Sequence, residues 1–179
     1  MGVLTPSTRT KGEFPAPLIR IAGADTELPL SLGDSLQEIL ASGEQLLIVV
    51  RADMTLDGRY DESWFVTTDR QIAVYEGGDR FDTPVLRLPV GELQSAKARL
   101  LYGNGALELT SKAGTFDAVR FSRSLSSEFE TVASLLNKLV ESGVEGLKEA
   151  GLVTRGNATE ANKCPQCGRT LPWGSNVCP

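Results

Sequence analysis

Between Leu46 and Phe121 the chain runs in short apolar stretches broken by turn signals, and from Phe129 its apolar residues switch to helical spacing. That change of period limits the fold more than any other feature. Leu46 to Ala52 is a continuous apolar run apart from Arg51, and Asp57-Gly58 soon after it marks a turn. Trp64 to Thr68 is aromatic and β-branched, Asp69-Arg70 interrupts it, and Gln71 to Glu76 resumes with Ile72, Val74 and Tyr75. Gly77-Gly78 ends that run, so the two stretches form a predicted hairpin. Val85 to Val90 alternates, and Pro84 and Pro89 assign it to a sheet edge, where a missing N–H is tolerated. Leu100 to Tyr102 and Ala106 to Thr110 flank Gly103-Asn104-Gly105 as a second hairpin, and Phe116 to Phe121 supplies one more strand.

Helical spacing then takes over. Phe129, Val132, Ala133, Leu136, Leu139 and Val140 share one helix face. Ser127 and Glu130 have capping-box spacing, which starts the helix near Ser126 or Ser127, and Gly143 is a natural stop. A shorter helix is expected from Gly33 to Leu40. The predicted class is therefore mainly β (α+β): a curled antiparallel sheet or barrel of about seven strands, plugged by a C-terminal helix. Four segments follow from these patterns: an irregular, proline-bearing lead-in over 1–17, the β domain over 18–143, a small and polar linker over 144–162 in which a short helix from Glu145 frays out, and a cysteine segment over 163–179.

The chain holds three cysteines and no histidine in 179 residues, which excludes Ser-His-Asp and Cys-His pairs and any His-ligated metal. Cys164-Pro165-Gln166-Cys167-Gly168 has the form of a zinc knuckle: two thiolates two residues apart reach one tetrahedral ion across a tight turn. Cys178-Pro179 has the form of the start of a second knuckle. A zinc-ribbon half-site using Cys164, Cys167 and Cys178 is thus expected, with its fourth ligand beyond Pro179 and the chain part of a longer one. Two alternatives stay open: a redox Cys-x-x-Cys, which lacks βαβ context, and a Cys164–Cys167 or Cys167–Cys178 disulfide. The Gly146 to Gly151 spacing suits a phosphate loop, but Leu152 stands where lysine is required, so no nucleotide is expected.

The block from Leu18 to Ser142 carries 12 basic and 19 acidic residues, a net charge of −7. Nucleic acid and anionic lipid both call for a basic footprint, and neither is expected as a partner. Arg51, Arg59 and Arg70 are candidates to converge at the first hairpin mouth, yet Asp53, Asp57, Asp61, Glu62 and Asp69 are interleaved with them, and a solvated mixed-charge surface is the expectation. Asp61 and Glu62, as strand neighbours, point to opposite faces and cannot share one acid-base site. No catalytic residue is assigned. With no apolar run near 20 residues and no leader-like N-terminus, the expected location is cytoplasmic.

Trp64-Phe65-Val66-Thr67-Thr68-Asp69-Arg70-Gln71-Ile72-Ala73-Val74 resembles the strand-Thr-Asp-Arg-strand hairpin of bacterial pleckstrin-homology-like domains, which also close with a C-terminal helix; the resemblance covers Leu18 to Ser142. Followed by a linker, Cys-Pro-Gln-Cys-Gly-Arg-Thr-Leu-Pro and Cys-Pro, this order is similar to the cytosolic N-terminal extension of certain bacterial ABC exporters, where a zinc ribbon precedes the first transmembrane helix. The resemblance implies a non-catalytic regulatory or assembly module on the cytoplasmic side of the membrane. Its partners would be the downstream transmembrane and ATP-binding parts of the same polypeptide, a partner half-transporter, or a second copy in a homodimer. The alternative is a stand-alone cytosolic adaptor. In either, Val85 to Val90 is the candidate contact edge.

Overall fold

The structure is a computed structural model that describes residues 17–19, 21, 28–77 and 81–157. Helix α1 (Leu30–Ala41) precedes seven strands: β1 (Leu46–Met54), β2 (Tyr60–Thr68), β3 (Gln71–Glu76), β4 (Leu86–Pro89), β5 (Leu93–Leu100), β6 (Asn104–Ser111) and β7 (Gly114–Ser122). Helix α2 (Ser126–Asn157) follows. The strands form one antiparallel sheet in the order β4-β3-β2-β1-β7-β6-β5. Two meanders, β1 to β4 and β5 to β7, are thus joined where β1 meets β7.

The sheet curls because both meanders bury one face in the same core. Phe65, Ile72 and Val74 from the first, and Leu107, Leu109, Val119 and Phe121 from the second, share a single cluster with Phe129, Val132, Leu136 and Leu139 of α2. Curling stops short of closure: β4 and β5 remain edges, so the barrel alternative gives way to an open sheet. The physical reason lies in β4, which has four residues and ends in Pro89, leaving little ladder to offer β5. A 3₁₀ turn over Val90–Glu92 then carries the chain to the opposite edge.

The two meanders differ on their outer faces. On β1 to β3 that face is covered by α1, whose Leu32, Leu36 and Ile39 pack with Val49, Trp64, Val66, Ala73 and Tyr75. Residues Ser63 to Thr68 are consequently all buried, which accounts for the unbroken apolar texture of this stretch. On β5 to β7 the outer face is polar, with Arg99, Glu108, Asp117 and Arg120 half-buried on it.

Boundaries follow from local chemistry. The β2–β3 turn is built by Thr68, whose Oγ1 accepts from the backbone N–H of Arg70 (3.2 Å) and Gln71 (3.0 Å) and donates to Glu44 Oε2 (2.6 Å). Asp69 Oδ1 accepts from the Gln45 N–H at 2.7 Å, tying the same turn to the chain entering β1. The Thr-Asp-Arg signature is thus a turn whose hydroxyl replaces missing ladder partners.

In β6, Gly105 lies under the Phe121 ring: a Cβ there would stand 2.3 Å from Phe121 Cε2. Phe121 in turn stacks on Phe129 with centroids 4.3 Å apart, so the bare glycine lets the first turn of α2 seat on the sheet.

Two strand boundaries differ from expectation. Strand β5 occupies Leu93–Leu100, whereas Leu101 to Gly103 form the turn in place of the expected strand over Leu100 to Tyr102. Its sequence, Leu-Gln-Ser-Ala-Lys-Ala-Arg-Leu, has little β propensity, and β6 and α2 supply what holds it. Strand β4 is shorter than Val85 to Val90. At Gly143 the backbone breaks (φ 65°, ψ −163°), as a helix stop requires, and the short helix expected from Glu145 follows and runs through Asn157. Leu147, just past that break, is fully buried in the main core with Val144 against it.

Candidate functional site

An open sheet has two edges, each with unpaired backbone groups that accept a partner strand or must be blocked. The β5 edge is blocked by a side chain. Asn137 of α2 accepts from the Ala96 N–H through Oδ1 (2.8 Å) and donates from Nδ2 to the Ala96 carbonyl (2.9 Å). One carboxamide therefore reproduces both bonds that a neighbouring strand would make. Phe129 lies near the Leu100–Gly105 end of β5 through its stack on Phe121, while Asn137 reaches Ala96, so α2 runs antiparallel to this edge. Small side chains at Ala96 and Ala98 allow the close approach.

The β4 edge is blunted differently. Val90 N donates inward to Arg70 O at 2.8 Å, so the adjacent nitrogen of Pro89 points outward and carries no hydrogen. Val85, Arg87 and Pro89 are exposed here, Val85 to 55%. The edge location expected for Val85 to Val90 is observed for Leu86–Pro89.

Arg51, Arg59 and Arg70 do not converge. Arg59 sits in the β1–β2 turn and Arg70 in the β2–β3 turn, at opposite ends of nine-residue β2. At ~3.3 Å per residue the separation is about 30 Å. Arg59 instead pairs with Asp57 at 2.7 Å, both exposed. The Thr55 hydroxyl is the leading cause that holds the Asp57 carboxyl below its usual range, and Arg59 adds to it.

A second charged group, which the sequence reading missed, lies on the polar face of β5 to β7. Arg99 Nη2 bonds Asp117 Oδ1 (3.0 Å), its Nε lies 2.9 Å from Glu108 Oε2 but off the N–H axis, and Arg120 approaches Asp117 at 3.7 Å. The register aligns Glu108 with Asp117 and Ala106 with Arg120. Within this group each charge has an opposite neighbour, so the face presents mixed polarity to an incoming ligand.

Where β1, β7 and α2 meet, Asp53 Oδ1 accepts from the Ser122 N–H at 2.8 Å. Nearby Glu128 is raised above the usual carboxylate range, chiefly by burial; Arg51 opposes that shift and Asp53 adds to it. Tyr75, under α1, is likewise raised by burial. Asp61 and Glu62 are consecutive on β2 and so face opposite ways, as expected. Among the described residues no group of three or more Cys, His, Asp or Glu is placed to hold a metal ion, and no helix is long and apolar enough to cross a membrane. Cys164, Cys167 and Cys178 lie outside the described residues.

No protein-family model matches the chain, and a search of curated proteins finds no match.

Proposed function

We propose that the β domain is a non-catalytic contact module of the pleckstrin-homology-like class, and that the chain is the cytosolic N-terminal extension of a bacterial ABC exporter. The observation that carries the class is the strand order β4-β3-β2-β1-β7-β6-β5, with the helix after β7 laid along the β5 edge. Such a sheet offers surfaces rather than a cleft: a short exposed edge at β4 and a charge-balanced face on β5 to β7. Support for the exporter rests on the cysteine motif and the order of segments. Three thiolates in Cys-x-x-Cys…Cys spacing suit a structural zinc ion, and Cys164, Cys167 and Cys178 would hold it, giving the tail a fixed shape at the cytoplasmic face of the membrane. The partners on this reading are the transmembrane and ATP-binding parts of the exporter.

A photo-crosslinking residue at Val85, in the bacterial cytosol, tests the contact. Crosslinks to a polypeptide with membrane-spanning helices and a phosphate-binding loop are the expected result; crosslinks only to soluble proteins would favour the stand-alone adaptor and overturn the exporter reading. Metal analysis tests the tail separately. Near-stoichiometric zinc that is lost in Cys164→Ser supports the ribbon, and a metal-free chain refutes it.

A further inference from the structure

Helix α2 breaks where it runs off the sheet. Asn137 lies against Ala96, and the helix runs antiparallel to β5. From Asn137 to Gly143 the axis advances about 9 Å, at ~1.5 Å per residue. From Ala96 back to Leu93, the first residue of β5, the strand covers about 10 Å, at ~3.3 Å per residue. Gly143 is thus level with the end of the strand that α2 covers. A straight helix would run on into solvent, but at Gly143 (φ 65°, ψ −163°) the chain turns, and a second helical piece reaches Asn157. The turn carries Leu147 into the main core, where it is fully buried with Val144 against it.

Gly143 and Gly146 both serve the bent form. Gly143 occupies dihedral space that is essentially restricted to glycine. A Cβ on Gly146 would stand 2.3 Å from Ser142 Cβ, whereas residues four apart in a straight helix keep their Cβ atoms ~5–6 Å apart. A straight helix needs neither glycine and is weakened by each. Glycine also adopts helical dihedrals readily, so rotation about Gly143 alone converts the bent form into one continuous helix from Ser126 to Asn157. What the bend gives up is local: a ψ of −163° turns the Val144 N–H away from the Val140 carbonyl, its partner in a continuous helix. What holds the bend is the burial of Leu147.

We propose that residues 144–157 form a latched arm with two positions: docked, with Leu147 seated in the core, and extended, with α2 continuous. Leu147 is the latch and Gly143 the hinge. The arm spans about 21 Å at ~1.5 Å per residue, so the change of position moves whatever follows Asn157 by a distance of that order. A partner that holds the arm better in one position shifts the balance by its difference in affinity for the two. The device goes beyond the contact reading given above and does not rest on it, since both positions are set by residues of the β domain and the arm themselves.

Nuclear magnetic resonance on the full chain, labelled with ¹⁵N and with ¹³C at its methyl groups, is the test. Leu147 methyls of the wild type should show Overhauser contacts to side chains of the main core. The Gly143→Ala, Gly146→Ala double variant should move toward the extended position by about tenfold or more. Its Leu147 contacts should fade, and its Val144 and Glu145 amides should exchange more slowly, because a continuous helix gives them the Val140 and Glu141 carbonyls. Slower exchange separates straightening from mere loosening, which speeds it. Retained Leu147 contacts in the variant, or faster exchange at Val144 and Glu145, overturn the proposal. If the double variant does not fold, Leu147→Ala keeps both glycines and removes only the latch. The same two amides then decide: slower exchange supports the two positions, and unchanged or faster exchange refutes them. A failed crosslink at Val85 leaves these amides unaffected, so the two readings fail separately.

Discussion

Replacing Asn137 by leucine keeps the bulk of the side chain but removes both bonds to Ala96. Ala96 is 6% exposed, and α2 covers its outward-facing N–H and carbonyl. Leaving a buried backbone group unpaired costs about 1–3 kcal/mol. Two such groups would double that in a dry site, but Asn137 is half-buried and water reaches part of the gap, so about 2–3 kcal/mol is the expected loss. Urea denaturation measures it directly: the midpoint should fall with an unchanged m-value, because the surface exposed on unfolding is the same. Asn137→Asp keeps an acceptor for the Ala96 N–H yet sets a carboxylate against its carbonyl, and should fall at least as far. The Ala96 amide, bonded to Asn137 in the wild type, should be protected from exchange there and should exchange faster in both variants than amides of β2. A loss below about 0.5 kcal/mol, the range of ordinary surface changes, with Ala96 protection intact, would refute the view that this carboxamide seals the edge.

Four further outcomes follow from other features. Gly105→Ala should destabilise by about 1–3 kcal/mol through overpacking against Phe121; thermal melts should show the loss shrinking in combination with Phe121→Leu, since the two sites couple. Thr67 is fully buried with an unpaired hydroxyl, so Thr67→Val should stabilise by about 1–2 kcal/mol in the same assay, and a loss would mean that the hydroxyl has a partner. Glu128, an acid whose folded pKa is raised, favours folding below its unfolded pKa and loses that contribution as pH rises through the folded value. Glu128→Gln should accordingly be the more stable at pH 7, with the difference from wild type closing as pH falls below 4, and equal melts at pH 7 would contradict the burial argument. Pro89→Val restores an outward N–H on the β4 edge and should produce concentration-dependent association in sedimentation, whereas a monomer at all concentrations would show that shortness alone protects this edge.

Much of the fold was legible because local chemistry and tertiary context agree. Strand β3 falls at Gln71–Glu76 as its alternation and flanking turns predict, and α2 begins at Ser126, where the period changes. Strand β5 was not legible over most of its length. Its inward residues include Ala96 and Ala98, which are too small to give an apolar signal and are small because a helix lies against them. Openness of the sheet was equally hidden, since closure depends on how four residues of β4 meet a distant strand. Asn137 left a faint trace, an amide bordering the apolar stripe between Ala133 and Val140, but nothing local ties it to Ala96, 41 positions earlier. The arginines stay apart because successive turns of a meander lie at opposite ends of the strands, which leaves the mixed-charge surface that their acidic neighbours imply.

The unequal coverage of the two meanders divides the molecule by tolerance to change. On β1 to β3 both faces are packed, so nearly every position there answers to the core and substitutions will be purged. On β5 to β7 the outer face is polar and partly open to solvent, so its exposed positions can change at small cost to folding. Related chains would then conserve their first three strands in shape and diverge on the last three. A single scaffold could meet different neighbours by repainting that one surface.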